Sequence, residues 1–225
     1  MTIQVKFAAK AGGQIEGALS EAPGQVPAGG VVVVQEWHGV NAYVRATVDR
    51  LAASGFLALA PDLYHGKLAT TTDQAAQMMG ALDKKKAVAE IGDAARFLER
   101  HARSNGKVGV VGFCMGGALA FAAALHVAGL AAAAVFYGLP DITPDELAHV
   151  RIPVQAHFAR KDDWAKASVA AEIERKVRAA GGRMDLYVYD AGHAFMRSTD
   201  PHVYEPESAK LAWERLVEFL KRELA

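Results

Sequence analysis

The sequence predicts an α/β fold whose mostly parallel central sheet carries helices on both faces. Short apolar runs rich in β-branched residues recur along the chain, as they do in the buried strands of a parallel sheet. Patterns typical of amphipathic helices separate most of these runs. Strands that alternate with helices favour this architecture, because each helix must bury its apolar stripe against the sheet.

A hairpin and the first strand–helix units are expected before residue 112. Residues 5–7 and 15–18 alternate like two antiparallel strands on either side of the turn Ala11-Gly12-Gly13. Ser54-Gly55 is typical of a helix C-terminus. The predicted strands that follow the hairpin are 30–34, 56–60 and 108–111, and the predicted helices are 42–53, 72–82 and 84–103.

The same alternation continues to the C-terminus. No internal repeat, linker or low-complexity segment interrupts it. At 225 residues the chain lies within the range of one α/β domain, so we expect a single domain spanning 1–225. The remaining predicted strands are 131–136, 153–158 and 184–189, and the remaining predicted helices lie near 165–180 and 205–222.

The composition excludes several classes of protein. Apolar residues make up 52% of the chain and charged residues 22%, which excludes an intrinsically disordered chain. The 25 basic and 25 acidic residues cancel, so nothing indicates binding to nucleic acid or to an anionic membrane surface.

Cysteine usage and the N-terminal residues indicate the compartment. One cysteine cannot form an internal disulfide, which fits a reducing compartment. Residues 1–6 alternate like a strand and lack the apolar core of a signal peptide. His126 and Gly129 interrupt the longest apolar stretch, so no membrane span is expected. We therefore expect a cytoplasmic protein that is a monomer or a small homo-oligomer.

The most informative motif is Gly112-Phe113-Cys114-Met115-Gly116-Gly117. Its pattern, G-x-C-x-G, is that of a nucleophile elbow with cysteine where most hydrolases carry serine. Such a turn strains the backbone of its central residue and requires small neighbours. At the start of the following helix, the dipole favours a thiolate and free N–H groups can bind an oxyanion. The alternative is a buried core cysteine, but the glycine positions favour the nucleophile.

A nucleophile of this kind needs a base and an acid that orients the base. In the α/β-hydrolase arrangement they follow in the order nucleophile, acid, histidine, each just past a strand. His193 follows the predicted strand 184–189, and Asp162 and Asp163 follow the strand 153–158. Their order alone leaves both aspartates open as the acid.

The other histidines favour structural or surface roles. His157 lies within a predicted strand rather than past its end, and His101, His126 and His149 lie on helices or connections. No pair of histidines has the helical spacing of a metal site, and one cysteine cannot build a structural zinc site. We expect neither a metal nor a cofactor.

Together these motifs resemble the dienelactone hydrolases (carboxymethylenebutenolidases), a cysteine-nucleophile branch of the α/β-hydrolases. The resemblance extends over nearly the whole chain, and it implies the α/β-hydrolase fold. It also implies a triad of Cys114, Asp162 and His193, and so assigns the acid to Asp162. Besides the elbow, it is carried by Glu36-Trp37-His38-Gly39-Val40-Asn41, Ala60-Pro61-Asp62-Leu63-Tyr64, Ser104-Asn105-Gly106-Lys107-Val108-Gly109 and Gly192-His193-Ala194-Phe195-Met196-Arg197-Ser198.

The resemblance gives roles to two further residues. It implies that Glu36 lies beside a thiol that rests protonated, and that substrate binding lets this carboxylate help to take the proton. It implies that Arg197 holds a carboxylate of the substrate, a task that suits a guanidinium. The family also draws an arginine and a tyrosine from the segment after Pro-Asp-Leu-Tyr, but residues 65–86 contain neither. The chain thus departs from the family at two substrate contacts, so the sequence predicts hydrolysis of a lactone or ester and leaves the identity of the substrate open.

Aromatic residues near the predicted site are candidate substrate contacts. Trp37 and Trp164 each lie within two residues of a proposed site residue and could wall an apolar pocket; simple packing is the alternative for both. Tyr64 follows a predicted strand and is a candidate by location alone. The same holds for His38, Asn41 and His65.

The reaction expected from these residues is hydrolysis of a small lactone or ester. The Cys114 thiolate attacks the acyl carbonyl, and the backbone N–H groups of Met115 and Trp37 form the oxyanion hole. A water activated by His193 then cleaves the thioester. The alternatives are a redox-sensing thiol and a binding protein on an inactive hydrolase scaffold.

Overall fold

The computed structural model describes residues 1–24 and 27–225, and a sheet of eight strands forms the centre of this part of the chain. The strands are β1 (Ile3–Ala8), β2 (Gln14–Ser20), β3 (Ala28–Val34), β4 (Leu57–Pro61), β5 (Ser104–Phe113), β6 (Leu130–Phe136), β7 (Val154–Lys161) and β8 (Met184–Gly192). The helices are α1 (Ala42–Ala53), α2 (Thr72–Ala81), α3 (Lys84–Glu99), α4 (Met115–His126), α5 (Pro144–Leu147), α6 (Ala167–Ala179) and α7 (Pro206–Leu224).

The sheet is mostly parallel, with the order β1-β2-β4-β3-β5-β6-β7-β8. The N-terminal hairpin is antiparallel, and β2 pairs antiparallel with β4. Every pairing from β4 to β8 is parallel. This confirms the predicted hairpin and the predicted parallel sheet.

Strand β3 shows that helices cover both faces of the sheet. It is buried along its whole length, and successive residues of a strand point to opposite faces. A Cβ atom on Gly29 would meet Leu224 of α7, whereas one on Gly30 would meet Leu98 of α3. The two-faced covering predicted from the sequence is therefore confirmed. Within the two described ranges, no helix combines the length and apolar character needed to cross a membrane.

The topology places one crevice at the carboxyl ends of β3 and β5. From β3 the chain crosses to β4 on one side, and it later enters β5 on the other side. Open parallel sheets bind ligands at such a point, because the two connections diverge and leave a gap. Glu36 follows β3 and Cys114 follows β5, so both begin loops at this crevice.

The structure corrects the predicted helix 84–103. The helix ends at Glu99, and the backbone of Ser104 already pairs with Ala28 in the sheet. The side chains of Ser104 and Asn105 each accept a hydrogen bond from the backbone two residues later, as they would in a loop. Strand β5 therefore begins with a polar segment that precedes the apolar run from which it was predicted.

The one-turn helix α5 is an addition to the predicted elements. Four residues are too few to show a helical period. Its start is a capping box: Thr143 Oγ1 accepts a hydrogen bond from Glu146 N, and the Glu146 carboxylate accepts one from Thr143 N.

His157 is a completely buried residue of β7. Its Nδ1 lies 2.8 Å from the Tyr189 hydroxyl, and its Nε2 lies 2.9 Å from Gln155 Oε1. An amide oxygen only accepts, so Nε2 carries the proton and Nδ1 accepts from Tyr189. Burial, and secondarily the charge of Arg215, lower the pKa of His157 to about 3. A neutral imidazole with both nitrogens bonded fits the structural role predicted for it.

This buried imidazole predicts a loss of stability on mild acidification. Below pH 6.5 the unfolded chain binds a proton at position 157 and the folded chain does not, so the free energy of unfolding falls as the pH falls towards 3. One proton contributes about 1.4 kcal/mol per pH unit. Urea unfolding at two pH values measures the effect. Between pH 7.5 and pH 5.0, the free energy of unfolding should fall by about 2 kcal/mol less in His157→Gln than in the wild type. His149→Gln, an exposed control, should keep the wild-type difference; an equal difference in all three proteins would contradict the prediction.

Candidate active site

Cys114 lies in the sharp turn between β5 and α4, as predicted. Its backbone has φ 55° and ψ −119°, a strained conformation for a residue with a side chain. The turn is held by hydrogen bonds from Cys114 N to Phe136 O, at 3.0 Å, and from Gly117 N to Cys114 O, at 2.9 Å. The thiol is partly accessible, which a nucleophile requires.

The elbow can form only because neighbouring backbones approach closely. A Cβ atom on Gly112 would lie 1.9 Å from Gly116 O, and one on Gly116 would lie 2.3 Å from Val34 O. Distances below 3.0 Å are not tolerated against backbone, so these positions require glycine. Gly138, which follows β6, has the same constraint, because its Cβ would lie 2.3 Å from Cys114 O. Sequence reasoning missed Gly138, although its place after a strand was a usable signal.

A continuous hydrogen-bonded chain joins Cys114, His193 and Asp162. His193 Nε2 lies 3.2 Å from Cys114 Sγ, and His193 Nδ1 lies 2.7 Å from Asp162 Oδ2. Asp162 Oδ1 accepts hydrogen bonds from the backbone N–H groups of Trp164 and Ala165, at 2.8 and 2.9 Å. These bonds fix the carboxylate, which in turn fixes the ring of His193.

In Asp162 and His193, hydrogen bonds shift the pKa more than burial does. Burial alone would raise the pKa of Asp162, but the bonds from His193, Ala165 and Trp164 hold it below its usual range. Burial would lower the pKa of His193, but the bonds to Asp162 and Cys114 raise it to about 10. The site therefore favours a protonated imidazole beside the sulfur at neutral pH.

Glu36 lies in a different environment from Asp162. It is buried, and its nearest polar neighbours are the Tyr137 hydroxyl, which donates to Oε1 at 3.4 Å, and Arg197 Nη1, which lies 3.7 Å from Oε2. Burial raises the pKa of Glu36, and Arg197 and His193 oppose this shift only in part. Among the described residues His193, and not Glu36, is hydrogen-bonded to the thiol.

Arg197 is the second buried charge of this cluster. Its side chain is 16% exposed, and besides Glu36 it has Asp200 Oδ2 at 3.9 Å. Glu36 Oε2 and Arg197 Nε are buried and lack hydrogen-bond partners in the described part of the chain. The pair is close enough to attract and too far apart for a good hydrogen bond, so both groups keep bonding capacity.

Tyr137 is a site residue that sequence reasoning missed. It is fully buried with a positive φ of 36°, and its ring meets that of His193 edge-on at 5.2 Å. It thus touches both the carboxylate of Glu36 and the imidazole of His193. Its position directly after β6 was the available signal, because the carboxyl ends of parallel strands share one edge.

The two N–H groups predicted to form the oxyanion hole belong to segments that meet at the elbow. Met115 N begins α4 directly after the nucleophile, and Trp37 N lies in the loop after β3. In residues 1–24 and 27–225 neither N–H donates a hydrogen bond. That loop is held against the elbow, because Gly116 packs on the carbonyls of Val34 and Gln35.

The structure brings the predicted aromatic residues to the same place. Trp37 and Trp164 meet edge-on with ring centroids 5.9 Å apart, and the Trp164 ring lies 6.3 Å from that of His193. Trp164 is 73% exposed, so it forms an open rim. The Tyr64 hydroxyl donates to Met115 Sδ at 3.3 Å, which places Tyr64 beside the elbow.

The weaker candidates have structural partners. Asn41 caps α1, its Oδ1 accepting from Val44 N at 3.1 Å. The His38 carbonyl accepts from Ala69 N, and burial, the larger cause, lowers the pKa of the His38 ring together with Arg197. His65 turns away to Glu90, 3.5 Å from its Nε2.

Metal ligation has no support in the described residues. No group of three or more His, Cys, Asp and Glu side chains among them could hold a metal ion. His101 pairs with Glu21, and His149 is exposed. The sequence-based expectation of a metal-free and cofactor-free site stays a prediction.

Comparison with known proteins decides the family. A model described as the dienelactone hydrolase family matches residues 15–224. The chain belongs to the dienelactone hydrolase family.

Individual relatives agree with the family model. The chain is 34% identical over 220 residues to a carboxymethylenebutenolidase of Pseudomonas putida, with 92% of each chain covered. It is 35% identical over 206 residues to protein usf of Aquifex pyrophilus, covering 87% of this chain and 88% of that one. A crystal structure assigned to the dienelactone hydrolases of Klebsiella pneumoniae matches with a TM-score of 0.83 and 26% identity, covering 97% and 98% of the two chains.

These matches confirm the α/β-hydrolase fold and make the protein a carboxylic ester hydrolase. Residues 65–86 contain lysines and one histidine but neither an arginine nor a tyrosine, the two substrate contacts that the resemblance led us to look for there.

The geometry predicts unequal effects at the two neighbouring aspartates. Asp162→Asn should lower kcat for p-nitrophenyl acetate by about 100-fold or more, because the amide no longer fixes a protonated His193. The same change should lower the pKa of His193, measured by NMR, because the bond from Asp162 is a main cause that raises it. Asp163→Asn, at an exposed position, is the matched control and should keep wild-type values. The reverse order of effects would assign the acid to Asp163.

Proposed function

We propose that this dienelactone hydrolase cleaves a small lactone or ester through a triad of Cys114, His193 and Asp162 and a thioester acyl-enzyme. The observation that carries the proposal is the unbroken chain from Cys114 Sγ through both nitrogens of His193 to Asp162. The strained elbow and the two free N–H groups support the same chemistry.

In the first step the Cys114 sulfur attacks the acyl carbonyl carbon. The carbonyl oxygen takes the negative charge and is held by Met115 N and Trp37 N; one such donor typically contributes about 3 kcal/mol to the transition state. When the tetrahedral intermediate collapses, the C–O bond breaks and His193 gives its Nε2 proton to the leaving oxygen. The raised pKa of His193 supports this step, because the imidazole enters the reaction protonated.

In the second step the neutral His193 acts as a base. It takes a proton from a water molecule, whose oxygen attacks the thioester carbon, and the C–S bond breaks to release the acid. Asp162 stabilises the imidazolium that forms again. The cycle returns the sulfur and the proton to their starting places, so no cofactor is needed.

The substrate proposed is an ester or lactone whose leaving oxygen is stabilised, as in an enol lactone. A thiolate leaves more readily than an alkoxide, so attack on an ordinary alkyl ester tends to reverse. The relative from Pseudomonas putida is a carboxymethylenebutenolidase, which favours a lactone of this kind. Trp37 and Trp164 would wall the pocket for its apolar part.

Arg197 is the proposed contact for a carboxylate of the substrate. Its guanidinium is largely buried, and its contact with Glu36 is 3.7 Å long. A substrate carboxylate bound there would compete with Glu36 for the same charge. Glu36, released in this way, would accept the thiol proton before the sulfur attacks, as the family resemblance implies, and would return it to the sulfur when the C–S bond breaks.

The nucleophile is tested by replacing Cys114. Cys114→Ala should abolish hydrolysis of both p-nitrophenyl acetate and a dienelactone. The reason is that, in the described part of the chain, the Cys114 sulfur is the one nucleophile in contact with His193 Nε2. Wild-type enzyme incubated with p-nitrophenyl acetate should show an adduct of one acetyl group on Cys114 by mass spectrometry. Slow turnover of dienelactone with Cys114-dependent ester cleavage would keep the mechanism and change the substrate. Full activity of Cys114→Ala would contradict the proposal and favour a binding or redox role.

Glu36 is tested by removing its charge at constant size. Glu36→Gln should lower kcat at least about tenfold, because the amide cannot accept a proton. The pH dependence of the rate gives a second readout. Because the pKa of Glu36 is raised, the wild-type rate should fall at acidic pH as this carboxylate is protonated, and the fall should be absent in Glu36→Gln. Glu172→Gln, at a half-exposed surface position, is the control. Near-normal rates in Glu36→Gln would remove this residue from the mechanism.

A further inference from the structure

A cavity of about 270 Å³ lies next to the candidate active site, between α2, α3 and the segment that follows β4. None of Cys114, Asp162 and His193 lines it. A cavity of about 150 Å³ is enough to hold benzene, so this one has room for a single substituted ring. Its apolar wall is formed by Leu63, Met78, Ala81, Leu82 and Ala87.

A carboxylate with free bonding capacity faces this space. Glu90 lines the cavity although the residue is only 5% exposed. Its two basic neighbours are His65, whose Nε2 lies 3.5 Å from Oε1, and Lys86, whose Nζ lies 3.8 Å from the same oxygen. Both distances are long for a hydrogen bond, so Glu90 has no close donor in the described ranges. Oε2 is not one of the fully enclosed polar atoms that lack a partner in the described ranges, so a molecule in the cavity can reach it and supply a donor.

The charges around Glu90 decide what kind of donor fits. Besides Glu90, the cavity is lined by one acidic residue, Asp83, and by three basic residues, His65, Lys67 and Lys86. An ammonium group entering it would therefore meet three basic side chains. A carboxylate placed against Glu90 would meet a like charge in a partly buried space. A neutral hydroxyl group avoids both penalties, because it donates a hydrogen bond without bringing a charge.

The wall of the cavity next to the active site is conformationally constrained. His65 has a φ of 52°, which is unusual for a residue with a side chain, and the Asp62 carboxylate holds this turn by accepting from Tyr64 N and Gly66 N. Strained positions of this kind concentrate at ligand sites. Tyr64 lines the cavity and also contacts Met115, so a molecule in the cavity would touch the side chain that lies beside the elbow.

We propose that this cavity is a second binding site, which takes a neutral one-ring molecule bearing a hydroxyl group, such as a phenol or benzyl alcohol. The ring lies between Leu63, Met78 and Ala81, and the hydroxyl donates to Glu90 Oε2. This site does not depend on the proposed hydrolysis, because no triad residue takes part in it.

Binding is measured directly on the intact protein by NMR of the methionine methyl groups. Phenol should shift the Met78 methyl signal in a saturable way and leave Met184, which lies in β8, unchanged. Benzylamine and benzoate, which carry the same ring with a positive or a negative group, should bind at least about tenfold more weakly. Benzoate binding as tightly as phenol, or no saturable shift with phenol, would overturn the proposal. Because no turnover is measured, failure here is distinguishable from failure of the proposed hydrolysis.

Two variants test the two parts of the site. Glu90→Met keeps the size of the side chain and removes the acceptor, so phenol should bind about tenfold more weakly, the usual effect of losing a charged hydrogen-bond partner. Ala81→Phe fills the cavity from an exposed position of α2 and should abolish binding without touching Glu90. Ala76→Phe, on an exposed position of the same helix outside the cavity, should bind like the wild type. Unchanged binding in Ala81→Phe would place the ligand elsewhere and refute the assignment.

Discussion

The candidate active site depends on the close approach of backbones around Cys114. The chain leaves β5, turns with a positive φ at the cysteine and enters α4, while the ends of β3 and β6 lie against the same turn. Glycines at 112, 116 and 138 allow this contact, since a single Cβ at any of them would collide with backbone atoms. The same contacts fix where the following loops begin. Glu36 and Tyr137 are therefore brought to the thiol's side of the sheet by packing that involves no catalytic atom.

Two buried carboxylates in this site differ because their surroundings differ. Asp162 accepts three hydrogen bonds, which outweigh burial and keep it ionised. Glu36 has one long hydrogen bond and one long ion pair, so burial dominates and its pKa is raised. A carboxylate held by many donors is suited to orienting a partner, whereas one with few is suited to exchanging a proton or a partner. The different roles proposed for Asp162 and Glu36 fit the different number of donors that surround each carboxylate.

The sequence was sufficient for the features that depend on local pattern. The elbow follows from glycines between an apolar run and a small-residue run, and the parallel sheet follows from β-branched strands between helices. Chain order alone did not separate Asp162 from Asp163; the structure separates them, because one accepts two backbone hydrogen bonds and the other is exposed. Tyr137 and Gly138 escaped prediction because their roles depend on contacts with β5 and the loop after β3, which are distant in sequence. The start of β5 escaped because polar residues there bond locally while the backbone pairs in the sheet.

The residues proposed for the chemistry and those proposed for substrate choice lie in different parts of the molecule. Cys114 and Asp162 are anchored through backbone hydrogen bonds to the sheet and to the turn after β7. The walls that would meet a substrate come from loops, where Trp164 is exposed and is held mainly by the edges of other rings. Loops change more readily than strands, because fewer buried contacts constrain them. The proposed triad lies at the ends of strands of the central sheet, beside an aromatic rim formed by loops. This arrangement would let one fold keep the same bond-breaking step while the substrate changes. The missing arginine of residues 65–86 therefore affects the substrate proposed and not the case for hydrolysis.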